Sequence, residues 1–117
     1  MKKGIERRRY PRFETELPLD LAVDGYAFRT TTENVSCIGA YCHLDKYLPP
    51  FTKIAIKLTL PIHGQNRLES SVIACNGVIV RTEDDAAGGF NIAIFFNEIR
   101  EKQKQKISRY LSQFLPY

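Results

Sequence analysis

The sequence predicts a mainly β fold: a six-stranded antiparallel β-barrel with a C-terminal α-helix. Three observations predict it. Between Leu17 and Phe96, apolar and polar residues alternate in short runs separated by turn signals, the pattern of half-buried strands. One run is long and carries Gly77 in its interior, a bulge or bend of the kind that helps a sheet curl and close. Beyond Asn97 the apolar spacing becomes that of a helix.

Taken in order, residues 17–23 (LPLDLAV) alternate, and Asp24-Gly25 signals a hairpin into a second strand at 26–34. Residues 39–44 (GAYCHL) alternate again, and the Pro49-Pro50 pair marks a loop. In 53–60, Ile54, Ile56, Leu58 and Leu60 share one face. The long fifth run is 70–84, and after the turn DDAAGG the sixth strand is 90–96. Asn97 then offers a helix cap, and Ile99, Ile107, Tyr110, Leu111 and Phe114 recur at helical spacing until Pro116. Lys102, Lys104, Lys106 and Arg109 fall off that stripe and read as a solvated face. The organisation expected is a basic arm at 1–12, a barrel at 13–97 and a helix at 98–117 packed on the barrel.

Composition fits this reading. The 117 residues are 44% hydrophobic and 26% charged, ordinary for one globular domain. No apolar run approaches the roughly 20 residues of a membrane-spanning helix, and no apolar segment follows the N-terminal charges as in a secretory signal. Three cysteines, Cys37, Cys42 and Cys75, lack CxxC spacing, so neither a disulfide framework nor a structural zinc site is expected, and a reducing cytoplasm is. The net charge of +4 is unevenly distributed. Residues 1–12 hold six basic side chains against Glu6, the body at 13–97 is net acidic, and 98–117 is basic again. A nucleic-acid-coating protein would instead interleave cations and aromatics along its strands.

Catalytic chemistry is not legible. His43 and His63 have no acid or cysteine at metal-ligand spacing, one lying in a strand and the other in a Pro-Gly turn. Ser70, Ser71 and Ser108 lack a nucleophile-elbow context, and Glu83, Asp84 and Asp85 occupy a turn where acids are common. No basic partner adjoins the cysteines, which read as small core residues. No enzyme, metal or cofactor is expected. The chain reads as a binder.

Two elements carry the binding reading. One is the arginine cluster before the first strand, Arg7, Arg8, Arg9 and Arg12; a guanidinium grips phosphate oxygens or a guanine O6/N7 edge bidentately. Pro11 biases Tyr10 towards extended backbone, so Arg8 and Arg12 would stand roughly 13 Å apart on the same side of the chain. The other is Asn34, Ser36 and Gly39 in the turn between strands two and three, spaced N-x-S-x-x-G. Asparagine offers an acceptor and donors, serine a hydroxyl, and glycine room for close backbone approach.

Together these resemble the PilZ domain family, bacterial receptors for cyclic di-GMP, over essentially the whole chain. The family motifs RxxxR and [D/N]xSxxG stand here as Arg8-Arg9-Tyr10-Pro11-Arg12 and Asn34-Val35-Ser36-Cys37-Ile38-Gly39. The resemblance implies that Arg8 and Arg12 bind guanine edges and phosphates, that Asn34 and Ser36 contact base and phosphate, and that Gly39 leaves space beside the ligand. It implies that Arg7, just before RxxxR, goes with a stacked pair of ligand molecules. Arg9 and Arg81 are further candidate contacts. Asn34 stands where the family commonly has Asp, and an amide presents one oxygen where a carboxylate presents two. The expected function is a cyclic di-GMP receptor that orders its arginine arm on binding and signals through a downstream protein. The alternatives are an RNA- or single-strand-binding barrel and a degenerate protein-interaction module.

Overall fold

A computed structural model describes residues 11–63 and 68–115. Six strands, β1 (Pro18–Val23), β2 (Tyr26–Ser36), β3 (Gly39–Leu44), β4 (Lys53–His63), β5 (Leu68–Asp84) and β6 (Phe90–Glu98), form a closed antiparallel barrel in the order β1-β2-β3-β6-β5-β4. The expected fold class is therefore the observed one. β1, β2 and β3 form one meander and β4, β5 and β6 a second. The seams β3–β6 and β1–β4 join the two.

The strands follow from local chemistry. In β1, Leu19, Leu21 and Val23 alternate into the core. Asp24 and Gly25 have φ of 47° and 85°, the paired positive values of the two-residue hairpin whose twist matches its strands. β5 changes register against β6 between Asn76 and Val78, so Gly77 does mark a bulge. A Cβ at Gly77 would lie 2.6 Å from Ile56 Cδ1 and 2.9 Å from Phe95 O, so glycine suits this close packing of β5 between β4 and β6.

The interior is filled by Leu19, Leu21, Ile56, Leu58, Ile73, Ile79 and Ile92 from β1, β4, β5 and β6, all essentially without exposure. Helix α1 (Glu101–Leu111) and a 3-10 turn (Ser112–Phe114) follow β6. Ile107 and Leu111 are buried where α1 meets β2, β4 and β5. Full burial of Ile107 contributes roughly 1.5–3 kcal/mol to holding the helix down.

Two expectations at this end are corrected. Asn97 is not a helix cap: β6 runs on to Glu98, held by Asn76 Nδ2 donating to Glu98 Oε1 at 3.0 Å. Arg100 occupies the cap position with no side-chain hydrogen bond, so Ile99 lies outside α1. Likewise His63 ends β4 and is not in a turn. Pairing with β5 overrides the local turn signal of Pro61 and Gly64.

The chain enters the barrel firmly. Phe13 and Val35 exchange two backbone hydrogen bonds of 3.0 Å. The buried Thr32 hydroxyl accepts from Leu17 N at 2.9 Å and donates to Thr15 O at 2.6 Å. Segment 13–17 is thus fixed against β2, whose far end carries Asn34 and Ser36.

Candidate functional site

The last arginine of the basic cluster, Arg12, reaches the polar motif. Arg12 directly precedes the Phe13–Val35 bridge, and its Nη1 donates to Asn34 Oδ1 at 3.3 Å. Arg12 of one motif and Asn34 of the other therefore meet beside β2. Arg7, Arg8 and Arg9, and with them the expected behaviour of the arm, lie outside the described residues.

The motif is less of a turn than its composition suggests. Asn34 and Ser36 belong to β2 and Gly39 opens β3, leaving only Cys37 and Ile38 between the strands. Ser36 is buried, and its Oγ accepts from Ile38 N at 3.2 Å, which tightens the turn and leaves the hydroxyl proton to donate elsewhere. Gly39 has a packing reason of its own: a Cβ there would come within 2.5 Å of Ile94 O on β6.

Strand register extends the motif into two rows across β2, β3, β6 and β5. Asn34, Tyr41, Ala93 and Arg81 are successive partners in one row, and Ser36, Gly39, Phe95 and Val78 in the other. Arg81 is thus brought into line with Asn34, although its Nε pairs with Glu83 Oε2 at 3.4 Å. That ion pair is exposed at both ends and so weak enough to yield to a ligand. Tyr41 and Phe95 are missing from the residues singled out by sequence. Alternation could place each on an outer face, but only register shows that they flank the motif.

A shallow concavity of about 810 Å³ lies elsewhere, bordered by Ala22, Ala27, Ala55, Ala74, Asp20 and Lys57 among others. No motif residue borders it, and of its polar lining residues Arg29 is paired with Asp20 at 3.0 Å and Asn76 donates to Glu98.

His43, Cys42 and Cys75 have structural surroundings. His43 does have an acid nearby, which spacing did not reveal: its Nε2 lies 3.4 Å from Asp85 Oδ2 and 2.7 Å from Gly88 O, locking the β5–β6 turn. Burial, helped by the charge of Glu33, pushes the Cys42 thiol up to about 12, and burial pushes Cys75 up to about 11. Neither offers a thiolate at neutral pH. Among the described residues, no group of three or more His, Cys, Asp or Glu side chains could hold a metal ion. No helix among them is long and apolar enough to cross a membrane.

Comparison with known proteins adds the following. The family model described as PilZ domain matches residues 6–113. No curated protein matches the sequence. Among solved structures, the Bacillus subtilis inhibitor of motility MotI/DgrA superposes with a TM-score of 0.80 at 20% identity, over 96% of this chain and 53% of that one. The PilZ domain of Escherichia coli YcgR with c-di-GMP gives 0.63 at 16% identity, over 92% and 91%. YcgR of Escherichia coli in complex with c-di-GMP gives 0.71 at 15%, over 94% of this chain and 46% of that one. The chain thus spans about half the length of MotI/DgrA and of the longer YcgR chain.

Proposed function

The chain belongs to the PilZ domain family, and on that premise we propose that it is a receptor for cyclic di-GMP. The observation that carries the proposal is the 3.3 Å contact between Arg12 and Asn34, which joins one residue of each family motif. A cyclic dinucleotide presents two phosphates and two base edges. A face with arginine at one side, an amide and a hydroxyl at its centre, and Arg81 in line beyond them matches those groups in kind.

In this reading Arg8 and Arg12 grip phosphate and guanine edges, with Arg9 and Arg81 as further contacts. Asn34 and Ser36 contact base and phosphate, and Arg7 supports a second, stacked ligand. The arm at residues 1–12 orders over the barrel as the ligand neutralises its arginines, and a downstream protein recognises the surface so formed. Catalysis and cofactors have no part in this function.

Titration calorimetry with cyclic di-GMP, with GTP and a short RNA as controls, tests it. Saturable binding of cyclic di-GMP alone is the expected result. Preference for the RNA, or no heat with any of the three, overturns the reading.

A further inference from the structure

At the β3–β6 seam the outer face carries a two-by-two block of side chains. Tyr41 stands opposite Ala93, and Gly39 opposite Phe95. Large and small residues therefore occupy opposite diagonals. Phe95 is 43% exposed, although its strand neighbours Ile94 and Phe96 are buried and already fill the core. Exposure of one ring is ordinary by itself; what marks Phe95 is its place beside Gly39 and diagonal to Tyr41, in the rows of the motif. The half-buried Tyr41 is next to Asn34 in its row, and Phe95 is in the row of Ser36.

The spacing suits one ligand chemistry. Diagonal neighbours on an antiparallel pair stand roughly 7–8 Å apart, a gap that admits one flat ring between two others. Gly39 and Ala93 on the crossing diagonal add nothing larger than a methyl group to that gap, and both are buried. Resting on the cyclic di-GMP reading, we propose that Tyr41 and Phe95 are base-stacking residues that hold one purine of the ligand between them above Gly39 and Ala93. The edge of that purine turns to Asn34, and a phosphate of the ligand turns to Ser36. Polar motif residues then select the ligand's edges and charges, and the two rings select a broad, flat base.

The test is calorimetric titration of cyclic di-GMP into wild type, Phe95→Ala, Phe95→Leu and, as a control outside the block, Val72→Ala. Stacking on one ring is expected to make Phe95→Ala bind roughly 5- to 100-fold more weakly. Phe95→Leu, which keeps apolar area but no π face, should fall between it and wild type, and Val72→Ala should match wild type. A measurement on the unmutated protein accompanies these: the Phe95 and Tyr41 ring protons should shift in NMR spectra as the ligand saturates. Wild-type binding with an unweakened Phe95→Ala and unmoved ring protons would overturn the stacking proposal while leaving the receptor reading intact. Absence of binding by wild type would overturn both.

Discussion

Arg12 and Asn34, 22 positions apart in sequence, are joined by a 3.3 Å hydrogen bond from guanidinium to amide oxygen. The contact stands on rigid supports, because Phe13 and Val35, the next residue of each segment, are paired backbone to backbone. Arg12→Ala is therefore expected to remove a ligand contact without moving the barrel. Arg8→Ala should act alike. Each should weaken cyclic di-GMP binding roughly ten- to a hundredfold, the worth of a charge-assisted bond, with an unchanged thermal midpoint. Wild-type affinity in both variants would sink the receptor assignment.

Stoichiometry separates the role of Arg7 from that of a general cation. Wild type should bind about two ligand molecules per chain if Arg7 supports a stacked pair, and Arg7→Leu should move the ratio towards one. The measurement is the inflection of a calorimetric titration at protein concentrations well above the dissociation constant. A ratio of one in both proteins removes Arg7 from the site.

Ordering of the arm is read by amide hydrogen exchange. Phe13 N and Val35 N are already hydrogen bonded across the bridge, so both should exchange slowly with or without ligand. Residues 5–10 should gain protection only when cyclic di-GMP is present. Protection of 5–10 to the same degree in the free protein would show a preformed arm, and signalling by arm ordering would be lost.

The turn after β5 makes a test of stability independent of ligand. Gly89 has φ of 74°, and a Cβ there would lie 2.6 Å from the His43 ring and 2.8 Å from Leu44 O. Gly88 has φ of 107° with nothing within 4 Å. Gly88→Ala should cost about 1–2 kcal/mol of backbone strain, and Gly89→Ala a further 1–3 kcal/mol for the overlap. Urea midpoints give the comparison. Equal losses would mean that the His43 ring and the Leu44 carbonyl both yield without cost.

Alkaline stability reports on Cys42. Its folded thiol is raised to about 12 from an ordinary 9.0, chiefly by burial. As pH rises past 9 the unfolded thiol ionises first, so this contribution is complete below 9 and disappears towards 12. Wild type should thus lose urea resistance between pH 8.5 and 10.5 faster than Cys42→Ala, although the variant is weaker at pH 7 through its cavity. Parallel pH profiles would mean that Cys42 does not contribute.

What sequence made legible here was mostly what is decided within a few residues. Alternation located all six strands, Asp24-Gly25 its hairpin, and Gly77 its bulge, because side-chain period and turn geometry are local. Asn97 misled because a capping residue is also a tolerable strand residue, and pairing with β5 decided between them. The site divides in the same way. Asn34 and Ser36 are visible as a motif, and so is Arg12. Tyr41 and Phe95 become visible only through register, which pairs residues more than fifty positions apart. Gly39 carries a different lesson. Its lack of a side chain is required by Ile94 O, so Gly39→Ala would disturb the barrel first and says little about binding.

The β3–β6 seam has a kinetic side. Within each meander the strands are sequence neighbours and can pair early as hairpins. Gly39 and Phe95, by contrast, meet only after the two meanders have found each other, and such long-range pairing is the slow step in β-rich chains. The two rows straddle that late-forming joint, with β2 and β3 on one side and β6 and β5 on the other. A molecule bound across them has no complete site on either half-folded meander. It therefore holds the halves together, slowing unfolding and raising the melting temperature as its concentration rises.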